Sequence, residues 1–188
     1  MQVVRHLFRY LKRTIDYELP IYDPDRAPHQ PEQHPVVAYA DADFGGDQDD
    51  GKSMSGYLIY ACGTLITWKS KKQTIVTQST MEAELIASAT AMRTVNWMTG
   101  FLSEIRVDNG SPPLLFNNNQ ACVTVLTSGN FKSDNRHLRV RYYSIYESIA
   151  LDTLAIEHIA GDEMLADALT KPLDGTKNRV FISRLGMV

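Results

Sequence analysis

The chain has 188 residues, enough for one domain of ordinary size with an appendage. It is 44% hydrophobic and 22% charged, a globular balance that argues against a disordered chain. Nineteen Lys and Arg against 22 Asp and Glu give a formal charge of -3, which argues against an indiscriminate nucleic-acid binder, although a local basic face is compatible with it. Cys62 and Cys122 are too few for a disulfide framework, form no CxxC metal pair, and are both expected to be buried small apolar residues. No signal peptide and no apolar run long enough to span a bilayer is present, so the expectation is a soluble, intracellular protein without a membrane partner.

Residues 1–14, MQVVRHLFRYLKRT, have helical spacing. Val4, Leu7, Phe8 and Leu11 form an apolar stripe flanked by Arg5, Arg9, Lys12 and Arg13. The stripe either packs on the same domain or belongs to the tail of a preceding one. Residues 20–35 hold five prolines and little apolar content and read as an extended linker, in which His29 and His34 are expected to be solvated.

Residues 36–44, VVAYADADF, read as a strand with an acidic end. Alternation puts Val37, Tyr39, Asp41 and Asp43 on one face and Val36, Ala38, Ala40 and Phe44 on the other. Carboxylates ending an apolar strand are costly to bury unless something cationic is near. After the turn at 45–51, SGYLIYACG and TLITWKS read as two further strands joined around Gly63, forming an antiparallel meander. Lys69, Lys71 and Lys72 follow, as a solvated basic turn or as phosphate contacts.

Residues 79–105 form the strongest helix, with Met81, Leu85, Ser88, Met92, Val95, Leu102 and Ile105 at helical spacing. Ser79 and Glu82 match a capping box in which Glu82 reaches back to the cap amide. Glu84 has no such duty. It lies beside the apolar stripe near the helix start, free to face whatever the helix packs against. Residues 114–117 read as a short strand and 120–126 as a helix. Residues 137–150 form another helix, with Leu138, Tyr142, Ile145 and Ile149 inward and Arg136, Arg139 and Arg141 at its start. Residues 154–159 are a strand in which His158 is expected as a packed neutral imidazole. His137 stands at a helix start, to cap or to touch a phosphate. Asp162 is expected to cap a last short helix, EMLADALTK, and 175–185 can form one more. Strands followed by strand–helix alternation predict a mixed sheet with helices on its faces.

The acids and amides at element ends are Asp41, Glu84, Asn118 and Asp167. With them, AYADADFGGD, KSMSGYLIY, ITWKSKKQTIVTQSTMEAELIA, LLFNNNQACVTV, RHLRVRYYSIYE and IEHIAGDEMLADALTKPL run in the order of a known family. Over residues 36–173 the chain resembles the ribonuclease H domain of copia-type LTR-retrotransposon Pol polyproteins. The RYLKRT piece resembles the end of the preceding reverse transcriptase. The resemblance implies three parts: residues 1–19 as a reverse-transcriptase remnant, 20–35 as a linker, and 36–188 as the ribonuclease H domain. It implies an α/β ribonuclease H-like fold, a mixed five-stranded sheet of order 3-2-1-4-5 flanked by helices.

It further implies hydrolysis of the RNA strand of RNA/DNA hybrids by two Mg²⁺ ions, for which Mn²⁺ can substitute. Four residues would hold the ions: Asp41, Glu84, Asn118 and Asp167. Position 118 departs from the family, where Asp stands. Asn keeps the shape and removes a charge, and hard divalent cations prefer carboxylates. The exchange reads as a deliberate inactivation, with natural loss of activity or a match misplaced by one residue as alternatives. Hybrid contacts are implied for Ser79, Thr80, Asn119 and Gln120 beside the metal site, and phosphate contacts for Lys69, Lys71, Lys72, Arg136 and Arg139. The implied partners are the hybrid and the reverse-transcriptase portion of the polyprotein; the implied location is cytoplasm, virus-like particle or nucleus. The alternative is an inert module that binds hybrid or a polymerase partner.

Overall fold

The computed structural model describes residues 2–19, 21, 33–107 and 110–187. Five strands form one sheet: β1 (Val36–Asp43), β2 (Met54–Ala61), β3 (Thr64–Lys72), β4 (Leu114–Asn117) and β5 (Ala155–His158). Their spatial order is β3-β2-β1-β4-β5, the order expected. β1 pairs antiparallel with β2 and parallel with β4, while β4 pairs parallel with β5. The helices are α1 (Gln2–Arg13), α2 (Thr80–Glu104), α3 (Gln120–Ser128), α4 (Arg136–Ala150), α5 (Asp167–Thr170) and α6 (Gly175–Arg184).

The period-two pattern of β1 decides the layering. Val36, Ala38 and Ala40 enter one core with Leu85, Met92 and Val95 of α2, Leu126 of α3, and Leu138, Tyr142 and Ile145 of α4. Val37 and Tyr39 enter a second core on the other face, with Met164, Leu165 and Ala166 and, at its edge, Phe181 of α6. β1 is therefore central and covered on both sides, which is why Val36 to Ala40 run without a charged residue. Because β1 and β4 are parallel, their carboxyl ends open on the same edge of the sheet. Ala40 stands opposite Asn117, the last pair of β1 and β4, so Asp41 and Asn118 follow side by side while β1 stays paired with β2 as far as Asp43.

Local chemistry sets the helix starts. Ser79 accepts the Glu82 amide at the head of α2, and Asn119 accepts the Cys122 amide at the head of α3. Asn135 and Asp174 serve α4 and α6 in the same way. The capping box closes one residue earlier than expected, with Glu82 accepting from the Gln78 amide at 2.8 Å.

Other expectations change. Cys62 is exposed, because it shares with Gly63 a tight β2–β3 turn at positive φ (50° and 78°). Cys122 is buried as expected, and burial pushes its thiol pKa up. His158 is exposed, because β5 is an edge strand and packs weakly. His34 is half-buried and its Nδ1 lies 2.7 Å from the Pro112 carbonyl, tying the chain before β1 to the chain before β4. His29 and most of the expected linker lie outside the described residues. Asp162 caps no helix. The segment after it turns irregularly, and only Asp167–Thr170 is helical. α1 buries none of its residues, so packing of its stripe on this domain, one of the two alternatives the pattern left open, does not occur among the described residues.

Candidate active site

The site lies at the carboxyl ends of β1 and β4, where α2 crosses the sheet, the edge at which open α/β sheets place their ligands. A cleft of about 450 Å³ is lined by Asp41, Asp43, Thr80, Glu84, Asn118, Asn119 and Lys171, among others. Three of the four expected ligand positions thus share one cavity. The fourth, Asp167, adjoins it through Lys171. The Lys171 ammonium stands 2.6 Å from Asp167 Oδ1 and 3.3 Å from Asp41 Oδ1.

Asp41 is fully buried, and its second oxygen accepts from the Thr170 hydroxyl. α5 supplies these contacts because β2 has no side chain beneath it. A Cβ on Gly56 would stand 2.8 Å from Leu169 Cβ and from Thr170 Cγ2. Glu84 comes from the second turn of α2 and is 5% exposed. Burial first, then the neighbouring Asp41 charge, pushes its pKa up to about 8, against the pull of the hydrogen bond from Asn117. Burial also raises the Asp167 carboxyl, against the opposing effect of Lys171.

Among the described residues no three His, Cys, Asp or Glu side chains are arranged to hold a metal ion. The physical reason is that clustered carboxylates repel and take local partners. Glu84 takes Asn117, and Asp41 takes Thr170 and Lys171. Even so, two carboxylates converge on one ammonium, a stand-in that shows the pair suits a cation. Asn118 and Glu84 border the same space, so the cleft gathers oxygen donors of the kind that hard divalent ions prefer.

Asn117 was missed by sequence reasoning beyond its place in the strand. Its amide donates to Glu84 Oε2 at 3.0 Å and to Ser88 Oγ at 3.2 Å, and its oxygen accepts from the Asn119 amide at 2.8 Å. The one signal available was an amide closing a four-residue strand. Asn117 is wholly buried against α2, whereas Asn118 lines the cleft.

Of the expected hybrid-contacting residues, Thr80 and Asn119 line the cleft, while Gln120 is exposed and not part of its lining. The Ser79 hydroxyl and the Asn119 oxygen are engaged as helix caps. Lys69 and Lys71 border a second cavity of about 420 Å³ with Arg93 and Arg141, two residues the reading had not assigned to the site. Arg141 Nη1 is buried there without a hydrogen-bond partner, and burial followed by the Arg93 charge lowers its pKa. Lys72 is diverted. It pairs with Asp47 at 2.7 Å and Asp50 at 3.2 Å in the β1–β2 turn. Arg136, Arg139 and His137 are exposed on α4, where Asn135, not His137, is the cap.

Sheet order, helix layers and an acidic cleft at the β1–β4 edge define a ribonuclease H-like domain. Solved structures share the fold. The N-terminal RNase H domain of a Mycobacterium tuberculosis protein, solved fused to maltose-binding protein, matches with a TM-score of 0.52 at 14% identity, covering 80% of this chain and 96% of that one. The foamy viral protease-reverse transcriptase in complex with RNA/DNA hybrid gives 0.52 at 18% identity, over 81% of this chain and 22% of that one. Among curated proteins, the retrovirus-related Pol polyprotein from transposon RE1 of Arabidopsis thaliana is 30% identical over 187 residues, all of this chain and 12% of the relative. That from transposon TNT 1-94 of Nicotiana tabacum is 30% identical over 187 residues, 99% of this chain and 13% of the relative. No protein-family model matches. The chain belongs to the retrotransposon Pol polyprotein family, as its ribonuclease H-fold domain, and spans about an eighth of those relatives' length.

Proposed function

We propose that this domain is a metal-dependent endonuclease acting on the RNA strand of RNA/DNA hybrids, held to low turnover by Asn118. One observation carries the reading: Asp41, buried at the end of the central strand, shares a cation with Asp167 while Glu84 and Asn118 line the same cleft. Asp41, Glu84, Asn118 and Asp167 would hold two Mg²⁺ ions, or Mn²⁺ in their place. When bound, such ions activate the attacking water and stabilise the leaving oxygen. The chain's own residues fix the geometry. Thr170 orients the Asp41 carboxylate, and Asn117 holds Glu84 against the sheet. Thr80 and Asn119 border the cleft, with Gln120 next in the chain, where a minor groove would offer 2′-hydroxyls. Lys69, Lys71, Arg93 and Arg141 give a cationic cavity for backbone phosphate, with Arg136 and Arg139 farther out on α4.

Two relatives in structure are described as complexes with RNA/DNA hybrid, which supports the hybrid as partner. Residues 1–19 would be the end of the reverse transcriptase, whose other parts would cover the exposed stripe of α1, and 20–35 the linker to the domain at 36–188.

The testing experiment is Asn118→Asp, assayed on labelled hybrid with Mg²⁺. Cleavage is expected to rise by at least tenfold over the parent, and Asp41→Asn in that background is expected to abolish it. The Asn at 118 favours one other reading, an inert module that holds hybrid. An Asn118→Asp protein that binds hybrid tightly yet stays inert decides for it.

A further inference from the structure

Lys171 sits where a cation is wanted. Its ammonium is held by Asp167 Oδ1 at 2.6 Å and by Asp41 Oδ1 at 3.3 Å, and its neighbour Thr170 holds the other Asp41 oxygen. Consecutive residues at the end of α5 thus occupy both oxygens of a carboxylate whose side chain is 1% exposed. The lysine side chain itself is 38% exposed, so only its tip is committed. It also has somewhere to go. Beside the acidic cleft lies a cavity of about 560 Å³, bordered by Asn118, Asp162, Asp167, Lys171, Leu173 and Phe181 among others. Lys171 borders both spaces. A flexible four-carbon stem lets the ammonium cross from one to the other without moving the backbone.

We propose that Lys171 is a tethered competitor for divalent ions: it occupies the cation position between Asp41 and Asp167 and must swing into the adjoining cavity before an ion can bind there. This rests on the metal-site reading above. The consequence is a site that is charge-compensated without metal. With Asn rather than a carboxylate at 118, the neighbouring ligand set has less charge with which to displace the lysine.

The test is calorimetric titration of the full chain with Mn²⁺ and with Mg²⁺, for the parent, Lys171→Met and Lys171→Arg. Lys171→Met is expected to bind roughly two- to fivefold more tightly, the scale of one partly screened charge. Lys171→Arg keeps the charge and is expected to stay close to the parent. Without metal, Lys171→Met is expected to melt below the parent and to gain more in Tm on adding Mn²⁺. In the parent itself, the NMR signal of the Lys171 side-chain terminus is expected to move toward that of a solvated lysine as Mg²⁺ is added, a readout that holds even if a variant fails to fold. Equal or weaker binding by Lys171→Met, or a Lys171 signal indifferent to bound ion, overturns the proposal while leaving the metal site standing. If the parent and Asn118→Asp both fail to bind either ion at millimolar concentration, the metal-site reading falls first and takes this one with it.

Discussion

The Asn117 amide nitrogen donates to Glu84 Oε2 at 3.0 Å, joining the end of β4 to the second turn of α2 inside the protein. Both side chains are buried, and each has a further partner: Asn117 also donates to Ser88 Oγ, and Glu84 also accepts from the Ala42 backbone amide. Asn117→Asp replaces that donor with a second carboxylate. The loss is expected to be on the order of 2–4 kcal/mol at neutral pH. Part of it should return at acid pH, where the introduced acid is protonated as well as Glu84. Chemical denaturation at two pH values measures this; an unchanged midpoint at neutral pH would mean the contact contributes nothing.

Glu84 makes stability pH-dependent in a definite direction. Its folded-state pKa is raised to about 8 from the ordinary 4.5, so the folded protein holds this proton more tightly than the unfolded chain. The contribution is therefore complete below about pH 4.5 and is lost as pH rises through about 8. Asp167, also raised, adds in the same sense. Without divalent ions, Tm is expected to fall across that window, and Glu84→Gln is expected to flatten the slope. A profile of the variant that parallels the parent would assign the slope to other groups.

Gly56 is the gap through which α5 reaches Asp41. Gly56→Ala puts a methyl 2.8 Å from Leu169 and Thr170 carbons and 3.2 Å from the Ala166 carbonyl. The expected cost is about 1–3 kcal/mol, the range for overpacking. The same substitution should push the Thr170 hydroxyl off Asp41 and weaken Mn²⁺ binding, separating it from a substitution that merely destabilises. Thermal melts and ion titration together check both effects.

The cavity of Lys69, Lys71, Arg93 and Arg141 should carry part of any hybrid affinity. Among the described residues none of the four forms an ion pair with a carboxylate. Arg93→Gln and Arg141→Gln are each expected to weaken hybrid binding across sequences and to reduce the slope of log affinity against log salt by about one. Lys72→Gln, already paired with Asp47 and Asp50, is expected to change that slope little. Fluorescence anisotropy over a salt series distinguishes them.

Periodicity and capping chemistry were enough to find β1, β4, α2 and α4, because each has a local cause: a short apolar run bounded by polar residues, apolar side chains at helical spacing, or a Ser closing a helix start. The ordered motifs also located Asp41, Glu84, Asn118 and Asp167. What no local pattern could supply was their electrostatic state. Lys171 carried no assignment in the sequence, and only the approach of α5 over Gly56 sets it between Asp41 and Asp167. Arg93 and Arg141 lie 48 positions apart in the chain and face one cavity because α2 and α4 pack together. His158 and Cys62 went the other way, exposed because an edge strand and a tight turn bury little. Side-chain identity is written in the sequence, but the field each charge feels falls off with distance in space, so the packing of distant segments decides which charges meet.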